Sequence, residues 1–144
     1  MLSKPGIPLL ILILLAVLSG GCASQAEPIP TPAAPEAGDA SIGGRVSAAA
    51  QRWRNQTVEL YAAPYFDDGS GEGFYLLEPN VHPRTQLQSG GTFGLNDLPP
   101  GKYVLVVGPS PEEARLVIDA NGEAVIFTFY PDETYPLGEL ELAP

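Results

Sequence analysis

From residue 41 onward, apolar side chains recur at every second position, a period that strands satisfy and helices do not. Val58, Leu60 and Ala62 alternate with Glu59 and Tyr61, and Tyr103, Leu105 and Val107 share one side of the run 102–107. Leu140 and Leu142 alternate in the same way with Glu139 and Glu141. Successive side chains of a strand point to opposite faces, so 57–62 should bury Val58, Leu60 and Ala62 and turn Glu59 and Tyr61 outward. Ile42, Gly44 and Val46 read alike near the start, and Phe93 and Leu95 in the middle. No long segment keeps a helical period; 47–53 and 111–115 have room for a turn or two at most. The β-rich runs 114–120 and 123–129 are joined by Asn121-Gly122, a pair suited to positive φ at both central positions of a type I′ hairpin turn. Strands at short intervals with Gly/Pro turns predict an all-β fold: a single antiparallel β-sandwich of about seven strands.

The sandwich, 41–144, is preceded by two segments of different character. The chain opens with one basic residue, Lys4, and an apolar stretch over 7–18, followed by Ser19-Gly20-Gly21-Cys22. A charged start, an apolar centre and a small-residue cleavage zone are the layout of a secretory signal peptide, here 1–21. The apolar stretch falls short of the ~20 residues a membrane span needs. Leu18-Ser19-Gly20-Gly21-Cys22 resembles the lipobox of bacterial lipoproteins, with Ser19 in the slot usually held by a large aliphatic residue. The resemblance implies that Cys22 is lipidated and becomes the first mature residue. Two acyl chains of the palmitate kind, at about 0.8 kcal/mol per buried methylene, anchor stably where one chain is marginal. It also implies a bacterial cell-envelope protein whose domain faces the extracytoplasmic side. Ala23, in place of Asp, gives no inner-membrane retention signal by the same resemblance.

Loss of the leader removes Lys4 and leaves six Lys+Arg against seventeen Asp+Glu, a net charge of −11 (6 − 17). So acidic a chain lacks the basic patches that neutralise phosphates, which argues against nucleic-acid binding. It also repels anionic headgroups, leaving the lipid on Cys22 to hold the membrane. With the one cysteine consumed, no disulfide is available and stability must come from the core. Residues 22–40 read as a disordered Ala/Pro-rich linker, with Pro28, Pro30, Pro32 and Pro35 and no apolar periodicity. As extended chain at about 3.1 Å per residue, it could reach roughly 50 Å.

The run Gly91-Thr92-Phe93-Gly94-Leu95-Asn96-Asp97-Leu98-Pro99-Pro100-Gly101-Lys102-Tyr103-Val104-Leu105-Val106-Val107 resembles the signature of carboxypeptidase-regulatory-like, transthyretin-like and Cna-B-like domains. In those domains a Gly-x-Phe strand passes through a Leu-Pro-Pro-Gly turn into a Tyr-x-Leu-x-Val strand. Residues 42–46 and 137–142 resemble the family's first and last strands, whereas 63–88 is atypical. The resemblance implies an Ig-like or prealbumin-like form of the sandwich and leaves function open, since such sandwiches host many roles. The turn chemistry itself is structural: Pro99-Pro100 cannot continue a ladder, and Tyr103 can fill the core with its hydroxyl at the edge. Cna-B-like domains also suggest an isopeptide crosslink. The only mature lysine is Lys102 and the last strand has no Asn, so none is expected.

Residues for catalysis are sparse. His82, the single histidine, sits between Val81 and Pro83 and reads as an exposed loop residue. No Gly-x-Ser-x-Gly elbow occurs, lipidation would consume the thiol, and zinc would have only His82 and carboxylates to choose from. The expectation is a protein that is not an enzyme and needs no cofactor, with an exported hydrolase as a remote alternative. The best candidate site is the loop Asp67-Asp68-Gly69-Ser70-Gly71-Glu72, whose carboxylates are hard ligands of the kind calcium takes, though without the EF-hand spacing. An ordinary solvated hairpin tip would use the same residues. Tyr61, Tyr65, Phe66, Phe74 and Tyr75 surround the loop, with Trp53 upstream. Tyr61, Tyr65, Asp67, Asp68, Glu72 and Tyr75 are therefore the candidate ligand-binding residues, for a carbohydrate or calcium. The main expectation is a lipid-anchored, surface-displayed adhesion, scaffold or accessory protein with an envelope protein or glycan as partner.

Overall fold

The computed structural model describes residues 27–70 and 72–144; the leader 1–21, Cys22 and Gly71 lie outside them. The chain forms a β-sandwich. Strands β1 (Ala40–Arg45), β5 (Thr92–Leu98) and β9 (Thr134–Glu139) build the smaller sheet in the order β5-β1-β9. The larger sheet is centred on two long strands, β2 (Glu59–Asp67) and β6 (Gly101–Gly108), paired antiparallel from Glu59↔Gly108 to Pro64↔Tyr103. The other edge of β2 carries β3 (Gly73–Tyr75) and β4 (Arg84–Gln86). That of β6 carries β7 (Arg115–Ile118) and β8 (Phe127–Phe129), and β10 (Glu141–Leu142) pairs with β7. One six-residue helix, α1 (Ser47–Arg52), links the sheets. Among the described residues no helix is long and apolar enough to cross a membrane.

Ten strands are seven runs in this fold, because three runs are each broken in two. β3 and β4 lie along one edge of β2, interrupted by an excursion over 76–83. β7 and β8 lie along one edge of β6, interrupted by an excursion over 119–126. β9 and β10 are parted at the buried Leu140, where the chain leaves β1 and joins β7 in the other sheet. The expected antiparallel pattern has one exception: β1 and β9 run parallel. The expected type I′ turn also differs. Only Gly122 has positive φ (83°), and Gly122 N–H donates to the Asp119 carbonyl at 3.0 Å. The loop is thus three residues long, Ala120 to Gly122, a type I turn closed by a left-handed glycine. The cause is the Asp119 carboxylate, which accepts from the N–H groups of Asn121 (2.8 Å) and Glu123 (3.0 Å).

Between the sheets lies one core that includes Ile42, Leu60, Phe93, Leu98, Leu105 and Phe129. Val58, Leu60, Ala62, Tyr103 and Val107 face it as their alternation requires. Tyr61 does not follow expectation: it is 2 % exposed. The outer face of the larger sheet has an apolar cluster of its own, Tyr61, Ala63, Val104 and Val106, and Leu77, Ala114 and Leu116 pack over it. Both faces of β2 and β6 are therefore covered.

The described part of the Pro-rich segment is not a free spacer. Pro32 packs against Gly43 on the outer side of the smaller sheet, where a Cβ at residue 43 would come within 2.9 Å of the proline ring. Glu36 N–H donates to the Asn96 carbonyl at 2.9 Å, and the Arg45 guanidinium donates to the Glu27 carbonyl. The strap enters beside Arg45, climbs the sheet, and turns at 36–39 into β1, with Gly38 N–H on the Asp132 carboxylate at 2.8 Å. Glycine makes the floor flat enough for this; a side chain at residue 43 would lift the strap away.

At the strap's entry end, Val46 N–H donates to the Gly91 carbonyl at 2.8 Å and ties the end of β1 to the start of β5. Gly91 has φ 85°, and a Cβ there would collide with the Val46 carbonyl. Left-handed strain costs a non-glycine residue about 1–2 kcal/mol before any clash. Gly91→Ala should therefore lower the unfolding free energy by at least about 2 kcal/mol in a denaturant titration, or by roughly 10 °C in Tm. A loss within error would mean that the β1–β5 closure does not depend on this residue.

Candidate functional site

β2 outruns β6. Beyond Pro64, residues Tyr65, Phe66 and Asp67 pair only with β3, as Tyr65↔Tyr75, Phe66↔Phe74 and Asp67↔Gly73. The result is a two-stranded ribbon that projects past the sheet. Strand alternation gives its faces different residues. Phe66 and Phe74 stack across the strands with ring centroids 5.4 Å apart, and they remain 48 % and 66 % exposed. Tyr65 and Tyr75 occupy the opposite face, where the Tyr65 ring lies over Gly73 so closely that a Cβ there would collide with it.

The ribbon is braced by charge. Lys102 Nζ sits 2.6 Å from Asp67 Oδ2. This bond holds the Asp67 carboxyl below the usual carboxylate range and pushes the Lys102 ammonium up. Asp68 is also held low, by the Ser70 hydroxyl and then the Ser70 N–H, which donates at 2.9 Å. These carboxylates are committed to shaping the tip. Among the described residues, no three His, Cys, Asp or Glu side chains converge in a metal-holding arrangement. What the tip does form is a shallow recess of about 380 Å³, walled by Phe66 and Phe74 and rimmed by Asp67, Asp68 and Glu72.

Of the residues singled out in the sequence, Asp67, Asp68 and Glu72 thus meet at one recess, while Tyr65 and Tyr75 stand on the other face. Tyr61 belongs to neither. Its hydroxyl donates to Glu59 Oε2 at 2.7 Å, and Arg84 Nη1 lies 3.8 Å from the same oxygen. His82 is half-buried in the 76–83 excursion, where its Nδ1 accepts the Glu78 N–H at 3.0 Å and closes the loop. No protein-family model matches the chain, and no curated protein matches it in sequence. The resemblance over 91–107 stands on its own residues.

The aromatic pair that lines the recess, Phe66 and Phe74, was legible only as neighbours of the loop. Their placement depends on the Phe66↔Phe74 register, which the sequence does not display. A second recess, of about 310 Å³, lies at the other end of the sandwich between the α1–β2 connection and the segment after β4. It is floored by Trp53, Val58 and Leu87.

Burial first, and then the Glu59 carboxylate, push the Tyr61 phenol up from 10.0 to about 12. A pKa raised on folding contributes stability that is complete below the unfolded value and is lost as pH rises through the folded one. Tyr61 should accordingly be among the last tyrosines to ionise in an ultraviolet titration, and unfolding free energy should fall between pH 10 and 12. Tyr61→Phe should flatten that fall; an unchanged slope would place the phenol in solvent.

Proposed function

We propose that the chain is a lipid-anchored, non-catalytic display domain of the bacterial envelope, serving an adhesion, scaffold or accessory role through the β2–β3 ribbon. The observation that carries this reading is the stacked Phe66–Phe74 pair, left in solvent by a fold that covers both faces of β2 elsewhere. Contiguous exposed apolar surface rimmed by polar residues is typical of interaction sites. Aromatic rings are enriched in the cores of such sites. Phenyl rings without donors, with Asp68 and Glu72 on the rim and Asp67 already paired to Lys102, suit an envelope protein with an apolar side chain beside basic ones.

The geometry of entry favours the same reading. The strap begins beside Arg45, while the ribbon leaves the sandwich at the opposite end. β2 alone, nine residues at ~3.4 Å each, separates the ends by about 27 Å. An anchor on Cys22 would hold the first end and present the second.

Two measurements test this. Intact mass of the membrane-fraction protein should give a chain starting at Cys22 with added acyl mass, lost in Cys22→Ala; an unmodified chain removes the anchor. A photo-crosslinking residue at position 72, on the rim of the Phe66–Phe74 recess, should give a discrete adduct in cells that the Phe66→Ser, Phe74→Ser double variant loses. No adduct, or one insensitive to that variant, removes the ribbon as the binding element.

A further inference from the structure

We infer that the recess at the entry end is a binding site for a neutral sugar unit, separate from the ribbon and independent of what the ribbon contacts. Its walls are amides. Asn55 and Gln56 stand on the α1–β2 connection, and Gln86 and Gln88 face them from the β4 side. None of the residues lining it is charged, on a chain that carries twenty-four Asp, Glu, Lys and Arg among 144 residues (17 + 7).

The chemistry of the walls restricts the ligand. An anion would find no cation among the lining residues, Arg52 being engaged with the Trp53 ring at 5.7 Å and the Ala143 carbonyl at 3.1 Å, and a net charge of −10 to oppose it. A cation would find no carboxylate among the lining residues, the Glu27 carboxylate lying outside them beside Gly90. An apolar side chain would strip water from exposed amides and return nothing, at about 1–3 kcal/mol for each group left without a partner. A carboxamide offers two donors and an acceptor side by side. Sugar hydroxyls, which both donate and accept, match that set without charge. The floor of Trp53, Val58 and Leu87 is buried, with Arg52 over the Trp53 ring at 5.7 Å, so it closes the recess and leaves the amides to contact the sugar. A volume of about 310 Å³ suits one or two such rings, being at the small end of the ~300–1,000 Å³ usual for ligand sites.

The site is also held rigid before any ligand arrives, which reduces the ordering cost of binding. Leu87 N–H donates to the Val58 carbonyl at 2.9 Å, joining the two walls. Gln88 N–H donates to the Thr92 carbonyl at 2.7 Å, and Gln56 N–H to the Trp53 carbonyl at 3.2 Å. Gln88 Nε2 reaches the Gln86 carbonyl at 3.4 Å, a long bond that a ligand hydroxyl can replace. Asn55 holds φ 66°, a left-handed conformation that turns the chain at the mouth.

Trp53 is the only tryptophan, so its emission reports on the recess directly. The intact protein should be titrated into the millimolar range with maltose, cellobiose and chitobiose, and with glucuronate as a charged control. At least one neutral disaccharide should shift Trp53 emission saturably and glucuronate should not. Gln86→Ala with Gln88→Ala should weaken binding about tenfold or more with little change in Tm. Should that double variant melt early, Gln88→Glu tests the same wall with its shape kept. No saturable shift, an equal response to glucuronate, or binding that survives these changes overturns the site. Binding lost instead in the Phe66→Ser, Phe74→Ser variant would move the sugar to the ribbon and overturn it as well.

Discussion

The fold depends on one handover, from β5 in the smaller sheet to β6 at the centre of the larger one. Leu98 is fully buried at the end of β5, and Gly101 begins β6 only three residues later. Pro99 and Pro100 prevent the ladder from continuing, because neither supplies an N–H. Tyr103 then closes the step: its ring is buried against Phe129 with centroids 6.1 Å apart, and its hydroxyl donates to the Pro99 carbonyl at 2.7 Å. That bond satisfies a phenol that burial would otherwise penalise. Once β6 is fixed in this way, β2, β7 and β8 have a template. Ala40 of β1 is held opposite Leu98 on the other side of the step.

With the two central strands covered on both faces, the fold has little freedom to place function except where a strand run is broken or overshoots. The three broken runs are such places. The 76–83 excursion carries Leu77 onto the outer cluster and uses His82 to close itself. The 119–126 excursion uses Asp119 in the same capacity. Both loops spend their polar side chains on their own backbones. The ribbon beyond Pro64 and the recess beside Trp53 make such bonds too, at Asp68 and Gln88, but there further exposed side chains, the Phe66–Phe74 pair and the facing amides, are held in shape by groups behind them. At the ribbon the support is Lys102 on Asp67; at the recess it is the backbone bonds between Val58 and Leu87 and between Val46 and Gly91.

The alternation in 57–62 and 102–107 was enough to assign the inner face, because burial against the smaller sheet acts on every second residue alike. It failed for Tyr61 because the outer face is covered by residues distant in sequence, Leu77 and Leu116. A hint lay in β6, where Tyr103-Val104-Leu105-Val106-Val107 is apolar without a break, the mark of a strand buried on both sides. Asn121-Gly122 misled through its neighbour: Asp119 supplies an acceptor that lengthens the turn by one residue. The candidate ribbon was half legible, since its carboxylates and aromatics are local in sequence while the stacking register is not. The amide recess was not legible at all. Asn55 and Gln88 are thirty-three positions apart (88 − 55), and a single carboxamide carries no pattern.

The strap alters what an anchor at Cys22 would mean. Read as free chain, the Pro-rich segment would lift the domain well clear of a membrane. From Glu27 on, it is instead fastened to Arg45 and Gly43. Cys22 lies only five residue steps from Glu27 (27 − 22), a span of about 17 Å when fully extended at ~3.4 Å per step. A lipid on Cys22 would therefore keep the Arg45 end close to the headgroups. Gly90 lies at that end, where a Cβ would come within 3.2 Å of the Glu27 carboxylate, and Gly90 lines the amide recess. The two surfaces would then work at different heights. The acidic, aromatic ribbon would point outward, where a protein partner can approach, and the uncharged recess would open within reach of membrane-proximal glycans. An acidic domain held so near anionic lipid would be repelled by it, and the residues lining the recess add no charge of their own to that repulsion.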